Sequence, residues 1–163
     1  MKKIIFAALV ALASFSVSAQ EQGDMAIGAN LGIAPCLENN VGATNFGIGI
    51  KYQYNITDPV RLEADLEYWI KDSGIGLFDI SANVHYLIPL SSKITAYPLA
   101  GIGYGHLTFT NYATSSANRF LFNVGVGAEY ALNDNISLGA EIKYQFLKNF
   151  SRLPIQIGVA YKF

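Results

Sequence analysis

Bulky apolar side chains alternate with small or polar ones along most of the chain, with a period of two residues. The pattern is clearest over residues 153–163. From 155 onward the odd-numbered positions hold isoleucine, valine, tyrosine and phenylalanine, and the even-numbered ones glutamine, glycine, alanine and lysine. A β-strand sends successive side chains to opposite faces, so this segment is predicted to be a strand with one bulky apolar face. Strands of about 9–11 residues also cross a bilayer when tilted.

The same alternation recurs seven times before this segment and predicts seven further strands. Polar stretches rich in asparagine, glycine, serine and proline separate them, which is typical of turns and loops. Among these, residues 55–59 are predicted to form a tight turn and residues 111–118 a loop. The eight predicted strands cover residues 25–33, 46–54, 60–70, 78–88, 96–104, 120–130, 136–146 and 153–163.

The charges of the predicted strands all share the parity of the glycines, and the apolar parity carries none. A solvated face does not need this much glycine, whereas a narrow barrel interior does. Aromatic residues lie near the strand ends on the apolar parity, as in the two girdles of a membrane barrel. A lipid-facing charge costs roughly 2–4 kcal/mol at mid-membrane, which explains its absence there. The charged positions are Lys51, Arg61, Glu63, Asp65, Glu67, Asp79, Glu129, Glu141, Lys143 and Lys162.

These patterns predict an all-β fold, an eight-stranded antiparallel up-and-down transmembrane β-barrel with its apolar parity facing lipid. The alternative, a soluble barrel such as a lipocalin, would have a filled apolar interior and charges facing water. Connections after the second, fourth and sixth strands are short, and those after the odd-numbered strands are mostly longer. Bacterial barrels keep short turns in the periplasm, so both ends of the barrel chain are expected there.

The first residues predict a cleavable secretory signal. Lys2 and Lys3 precede an apolar run that ends near Val17, and Ala19 completes a small-residue cleavage site. We therefore expect a signal peptide over 1–19 and one barrel domain over 20–163. The predicted localisation is the outer membrane of a Gram-negative bacterium.

Composition removes several classes of protein. Without Lys2 and Lys3, nine basic residues face twelve acidic ones, a net charge of −3 that gives no support to nucleic-acid binding. After the signal, the chain lacks the run of about 18 apolar residues that a spanning helix needs. Cys36 is the single cysteine, so a disulfide framework is impossible and the thiol is expected to be an incidental loop residue.

Three local motifs carry a family resemblance. They are the glycine-and-aromatic runs 97–104 and 125–130 and the terminal Tyr161-Lys162-Phe163. With the signal, they make the chain similar to the small eight-stranded outer-membrane barrels that include outer membrane protein X and the transmembrane domain of outer membrane protein A. The resemblance covers essentially the whole chain after the signal.

The resemblance implies partners. Tyr161 and Phe163 would serve as the terminal aromatic signal that the outer-membrane assembly machinery reads. Outer-membrane lipid and lipopolysaccharide would surround the barrel, and an extracellular ligand of unknown identity is possible in such a family. The predicted outer loops are short compared with adhesive members, which weakens the expectation of adhesion. Nothing follows Phe163, so a peptidoglycan-binding domain is not expected.

Catalytic and metal sites find little support in the sequence. His106 and Thr108 lie on the outward parity, as the lipid-facing histidine and serine of lipid A deacylases do, but no acidic residue follows near residues 118–122 to orient the histidine. His85, with Asp79 and Asn83 nearby, is a poor set of metal ligands. No cofactor, catalytic residue or metal site is therefore predicted.

The inward charges are predicted to form an ion-pair network that fills the lumen. If Thr57 is the midpoint of its turn, Lys51 lies opposite Glu63, and Gln53 opposite Arg61, while Asp65 and Glu67 face glycines. The third and seventh strands face each other across the barrel, which brings Lys143 toward Asp65 or Glu67. The predicted network comprises Lys51, Arg61, Glu63, Asp65, Glu67, Glu141 and Lys143.

Two function classes remain open. An eight-stranded barrel is just wide enough for side chains to fill it, which favours a structural or interaction protein with short surface loops. The alternative is a narrow porin-like channel for water, ions or very small solutes. A lipid-modifying outer-membrane enzyme is a remote third reading.

Overall fold

The computed structural model describes residues 21–37, 44–72, 74–110, 114–148 and 150–163; the predicted signal lies outside them. These residues form nine strands, and the alternation of the sequence runs through all the long ones. The described residues contain no helix long and apolar enough to cross a membrane. The strands are β1 Met25–Pro35, β2 Thr44–Thr57, β3 Val60–Asp72, β4 Ile75–Tyr86, β5 Ile88–Pro89, β6 Ile94–Thr110, β7 Thr114–Ala131, β8 Ile136–Leu147 and β9 Ile155–Lys162.

The strands close into one antiparallel barrel. Each long strand pairs with the next long strand in sequence, β4 pairs with β6, and β1 pairs with β9 to close the ring. The two-residue β5 continues the line of β4 past Leu87 and pairs with the start of β6 through Ile88 and Ala96. The described barrel therefore has eight walls, which confirms the predicted fold class.

Burial separates the two faces as the alternation predicts. On β2, Ile48 and Ile50 are 54% and 56% exposed, whereas Lys51 and Gln53 are 7% and 3% exposed. The glycine-rich, charge-bearing parity therefore faces the lumen, and the apolar parity forms the outer surface.

The hairpin of β6 and β7 is longer than the sequence indicated. Residues 111–118 were predicted to be a loop, but β7 begins at Thr114, and the pairing with β6 runs without a break from Ile94–Tyr130 to Thr110–Thr114. That part of the prediction was wrong because continuing the ladder satisfies backbone groups that a polar loop would leave to water, and threonine suits strands. Residues 111–113 lie outside the described residues.

The barrel interior changes character along its axis. At the end where β1 finishes and β2 begins, here called the outer end, inward apolar side chains form one cluster, the apolar layer. At the opposite end, where β9 finishes, the lumen opens into a cavity of about 620 Å³, here called the vestibule. Buried ion pairs lie between them. The apolar layer consists of Ala34, Trp69, Ile75, Leu77, Leu107, Leu121, Leu147 and Phe150.

Glycines make room for the largest rings of the lumen. A Cβ atom at Gly47 would collide with the indole of Trp69, and one at Gly127 with the phenol of Tyr97. Trp69 and Tyr97 are 0% and 1% exposed. The inward glycines therefore leave room for large inward side chains in a narrow barrel.

Candidate functional site: the barrel lumen

Lys143 lies at the centre of a group of ion pairs in the middle of the lumen. It lies on β8, and its Nζ is 3.0 Å from Glu67 Oε1 and 3.4 Å from Asp65 Oδ2, both on the opposite wall β3. Glu141 Oε1 on its own strand is 3.5 Å away. Gln156 Nε2 on β9 donates to Glu67 at 2.8 Å. The lysine predicted to approach Asp65 or Glu67 thus lies within ion-pair distance of both.

The predicted pairing of β2 with β3 was wrong by two residues. Lys51 lies opposite Asp65, and Gln53 opposite Glu63, because the turn lies at residues 58–59 and the pairing shifts by one residue between Asn55 and Thr57. The turn is therefore not centred on Thr57.

The same shift changes which carboxylates face glycines on β2. Glu67 lies opposite Gly49, while Gly47 faces Trp69. Lys51 still contacts Glu63, with Nζ 3.5 Å from Oε2, because a lysine side chain is long enough to reach a diagonal neighbour.

A second group of charges lies beside the vestibule. Arg61 holds Glu129 with two guanidinium nitrogens: Nη1 donates to Oε2 at 2.9 Å, and Nη2 lies 2.8 Å from Oε1. His85 Nδ1 lies 3.3 Å from Arg61 Nη2, and its Nε2 lies 3.3 Å from Glu63 Oε1. The imidazole stacks on Tyr97 at 4.5 Å. Glu129 was absent from the predicted network, although its inward parity and charge were visible in the sequence.

A third group connects the ion pairs to the apolar layer. Arg152 Nη2 lies 2.8 Å from Asp79 Oδ2, and the guanidinium lies over the Trp69 ring at 4.4 Å. The indole Nε1 of Trp69 lies 3.2 Å from both Glu67 Oε2 and Asp79 Oδ2. Every one of these side chains is fully buried.

Sequence reasoning missed Arg152 because it lies in the connection between β8 and β9, outside the predicted alternation. The segment folds back on the barrel: Arg152 exchanges two backbone hydrogen bonds with Gln145, at 2.9 and 3.1 Å, and Phe150 enters the apolar layer. Cys36, predicted to be an incidental loop residue, forms an isolated antiparallel β-bridge with Arg152 through the backbone. It also packs against the apolar layer. The signal available in the sequence for this inward fold was the apolar Phe150, two positions before Arg152.

The cluster of Glu63, His85 and Glu141 has donor atoms within 4.8 Å of one another, the spacing of a metal site. Lys51 lies 3.5 Å from Glu63, and Lys143 lies 3.5 Å from Glu141, so two ammonium groups already neutralise these carboxylates. Since His85 Nδ1 faces the donors of Arg61, it must accept, and the ring proton belongs on Nε2, where a metal would bind. The chemistry of the cluster is that of an ion-pair network.

The remaining predicted positions lie on the outer surface. His106 Nδ1 is 2.7 Å from Asn118 Oδ1, so its partner is an amide and not the carboxylate that a deacylase-like site needs. Tyr161 and Phe163 are 51% and 65% exposed. The amide of Phe163 donates to the carbonyl of Met25 at 3.0 Å, which ties the terminal residue to β1.

A closed antiparallel barrel with an apolar outer face and a buried ionic lumen defines an integral β-barrel protein of the outer membrane. The chain belongs to the outer membrane protein beta-barrel domain family, which it matches over residues 5–163. Its localisation is accordingly the outer membrane of a Gram-negative bacterium, as predicted.

Comparison with individual proteins supports this assignment. The chain is 29% identical over 134 residues to outer membrane protein PagN of Salmonella typhimurium, a match that covers 61% of this chain and 56% of that relative. The chain thus spans little more than half the length of PagN.

Two solved structures show the same fold. Neisserial surface protein A superposes with a TM-score of 0.75 at 22% identity, covering 85% of this chain and 97% of that one. Ail, the attachment invasion locus protein of Yersinia pestis, superposes with a TM-score of 0.64 at 16% identity, covering 87% and 99% of the two chains.

Proposed function

We propose that the protein is a non-conducting outer-membrane barrel with a structural or interaction role, whose lumen is filled and whose short outer connections form its surface. The observation that carries this proposal is the apolar layer across the outer end of the lumen. Trp69 and Leu121 are 0% exposed, and Leu77 and Leu107 are each 2% exposed, so water has almost no contact with these side chains. A hydrated ion would have to shed its water to pass such a layer.

The ion-pair network reinforces the closure. Lys143, Arg61 and Arg152 each join walls that are distant around the ring, and removing one partner of such a pair leaves an uncompensated charge. The network therefore has the features of a brace between walls. A conducting pore needs sites that bind ions weakly enough to release them.

Partners follow from the membrane setting. The apolar outer face would contact outer-membrane lipid and lipopolysaccharide, and Tyr161 and Phe163 would be read by the assembly machinery. A crystal structure of Ail is of its complex with the heparin analogue sucrose octasulfate, so a barrel of this fold can bind a ligand. We propose an extracellular ligand of unknown identity for this chain on that analogy, with a signal peptide over 1–19 and the barrel over 20–163.

Orientation completes the proposal. The turn of β2 into β3 and that of β7 into β8 lie at the vestibule end and take only two and four residues, 58–59 and 132–135. At the other end, the connections of β1 to β2 and of β8 to β9 are longer, with eight and seven residues, whereas those of β3 to β4 and of β6 to β7 have two and three. Since bacterial barrels place short turns in the periplasm, the vestibule is assigned to the periplasm and the apolar layer to the cell surface.

A narrow channel is the second candidate, and the vestibule is the observation in its favour. Its cavity of about 620 Å³ reaches as far as Arg61 and Glu129, so solutes of the periplasm can enter part of the lumen. An enzymatic role has less support, because His106 pairs with Asn118 rather than with an acid.

Solute uptake separates these candidates. The refolded protein in liposomes should leave the permeability to amino acids and small sugars at the level of empty liposomes. A fraction that shifts in gel mobility on boiling would show that the barrel is folded. Swelling that rises with the amount of folded protein would favour the channel.

A further inference from the structure

Cys36 and Arg152 are cross-strand neighbours at the outer end of the lumen. They form an antiparallel bridge, and the two backbone hydrogen bonds around it, at 2.9 and 3.1 Å, join the flanking residues rather than the pair itself. In such a non-hydrogen-bonded pair the Cα atoms are about 4.5 Å apart and the side chains lie closest to each other. Both side chains point inward, since Cys36 packs against the apolar layer and Arg152 lies over Trp69. A thiolate at Cys36 is close enough to act electrostatically on the guanidinium.

The guanidinium of Arg152 has one nitrogen without a hydrogen-bond partner. Its Nε donates to Oε1 of Gln145, and its Nη2 lies 2.8 Å from Oδ2 of Asp79. Among the described residues Nη1 has no acceptor, the sulfur of Cys36 included, although Arg152 is fully buried. An unsatisfied buried donor is destabilising, so an oxygen atom added to the neighbouring sulfur would be stabilised by Nη1.

The thiol itself is open to small reagents. Cys36 is free and partly exposed. It is the single cysteine of the sequence, so no second thiol of the chain can trap an oxidised sulfur as a disulfide. The first product of thiol oxidation by a peroxide is a sulfenic acid, which in most proteins is lost to a neighbouring thiol or to further oxidation.

We propose that Cys36 is a modification site for hydrogen peroxide, and that Arg152 holds the resulting sulfenic acid. The thiolate sulfur attacks one peroxide oxygen, so that an S–O bond forms as the O–O bond breaks. The leaving hydroxide takes up the proton that the thiol released and departs as water. Sulfur is oxidised by two electrons, the peroxide is reduced, and the oxygen on sulfur accepts a hydrogen bond from Nη1. This modification goes beyond the proposed function and does not depend on it.

The charges around the site favour the sulfenic acid over more oxidised products. Asp79 already neutralises the guanidinium of Arg152, with Oδ2 at 2.8 Å from Nη2. A sulfenic acid is neutral and needs only a donor, whereas a sulfinate would add a second anion beside the same cation. A partly buried anion without a cation of its own is costly. Oxidation is therefore expected to stop at one oxygen atom.

Trapping with dimedone, a reagent for sulfenic acids, tests the proposal. The refolded protein in lipid vesicles is treated with a small excess of hydrogen peroxide, and the peptide that contains Cys36 is followed by mass spectrometry. Cys36 should gain one oxygen atom without dimedone and a dimedone adduct with it. Dimedone does not react with a methionine sulfoxide, so oxidation of Met25 does not interfere.

Arg152→Lys separates the hydrogen bond from the charge. Lysine keeps a cation for Asp79 but has a single nitrogen, which leaves no donor for Cys36. The sulfenic acid should react with dimedone about tenfold more slowly in the wild type than in this variant, because a hydrogen bond from a charged donor stabilises it. Arg119→Lys, the matched change elsewhere at the outer end, should leave the wild-type rate unchanged. Heat-modified mobility shows that both variants are folded.

Trp69 gives a second readout that needs no change at Arg152. It is the single tryptophan of the chain, and the guanidinium carbon of Arg152 lies 4.4 Å from its ring. Peroxide should therefore change the tryptophan fluorescence of the wild type, and a small dithiol should reverse the change. Cys36→Ser should show no change, since it lacks the sulfur that carries the oxygen.

Four results would overturn the proposal. They are the absence of a dimedone adduct on the folded wild type, accumulation of sulfinic acid without sulfenic acid, equal dimedone rates in the wild type and Arg152→Lys, and a fluorescence change that persists in Cys36→Ser. None of them bears on the closed lumen, because solute uptake measures that separately.

Discussion

Arg152 lies with its guanidinium carbon 4.4 Å from the centre of the Trp69 ring, on the inside of the barrel. The arginine comes from the last outer connection and the tryptophan from β3, so this contact joins the apolar layer to the ion pairs beneath it. Asp79 on β4 completes the contact through Nη2 at 2.8 Å. The connection between β8 and β9 is thus built into the lumen.

Arg152→Met should destabilise the folded barrel because it leaves Asp79 buried without its cation. Losing one partner of a buried pair costs about 3–5 kcal/mol, and water in the lumen lowers that figure. Arg152→Met with Asp79→Asn should recover part of the loss. Denaturant unfolding in lipid vesicles measures both, with exposed Lys93→Ala as the control, and equal stability of Arg152→Met and wild type would contradict the prediction.

Lys143 and Glu67 should be coupled energetically, since Nζ and Oε1 are 3.0 Å apart between opposite walls. Lys143→Ala should lower the free energy of unfolding by up to about 3–5 kcal/mol, and adding Glu67→Gln should restore part of it. A double-mutant cycle gives the coupling, and Lys148→Ala serves as the matched exposed lysine. Additive effects of the two substitutions would remove the pair from the account.

Gly47 and Gly139 should respond differently to alanine. A Cβ atom at Gly47 would collide with the Trp69 indole, whereas at Gly139 the nearest atom is 3.8 Å away. Overpacking of a filled interior costs about 1–3 kcal/mol, so Gly47→Ala should destabilise the barrel by that amount while Gly139→Ala remains near neutral. The same unfolding assay compares them, and equal effects would show that the lumen is loosely packed.

Most of the barrel could be predicted because it follows from local features of the sequence. A period of two and the segregation of charge determine which side chains face inward, and these signals run through every long strand. The pairing of β2 with β3 could not be predicted, because it depends on the position of the turn at residues 58–59 and on one irregularity near Asn55–Thr57. The predicted and observed pairings differ by two residues, which leaves the parity of every side chain unchanged, so the sequence pattern does not record the difference.

The outer end of the lumen was harder to predict for a different reason. Inward Trp69, Leu77 and Leu121 carry the same parity as the charges, and only closure of the ring brings them together as a layer. Arg152 and Phe150 lie in a connection with no alternation of its own. Their burial follows from the path of the chain after Leu147, which tertiary structure decides.

Phe163 should matter for assembly in a way that other exposed aromatics do not. Phe163 and Phe120 are 65% and 76% exposed, so both rings lie on the outer face of the barrel. If the terminal strand is the assembly signal, Phe163→Ala should reduce the amount of folded protein in the outer membrane, and Phe120→Ala should not. Heat-modified gel mobility of membrane fractions gives the amounts, and equal losses would contradict a special role for the terminus.

Closure of the lumen is the central claim, and a planar-bilayer recording of the refolded wild-type protein tests it most directly. The apolar layer predicts no steady ionic current above that of the bare bilayer. Lys143→Ala should be equally silent, because it leaves Trp69, Leu107 and Leu121 in place. A steady current proportional to voltage from folded wild-type barrels would contradict the account and establish the narrow channel.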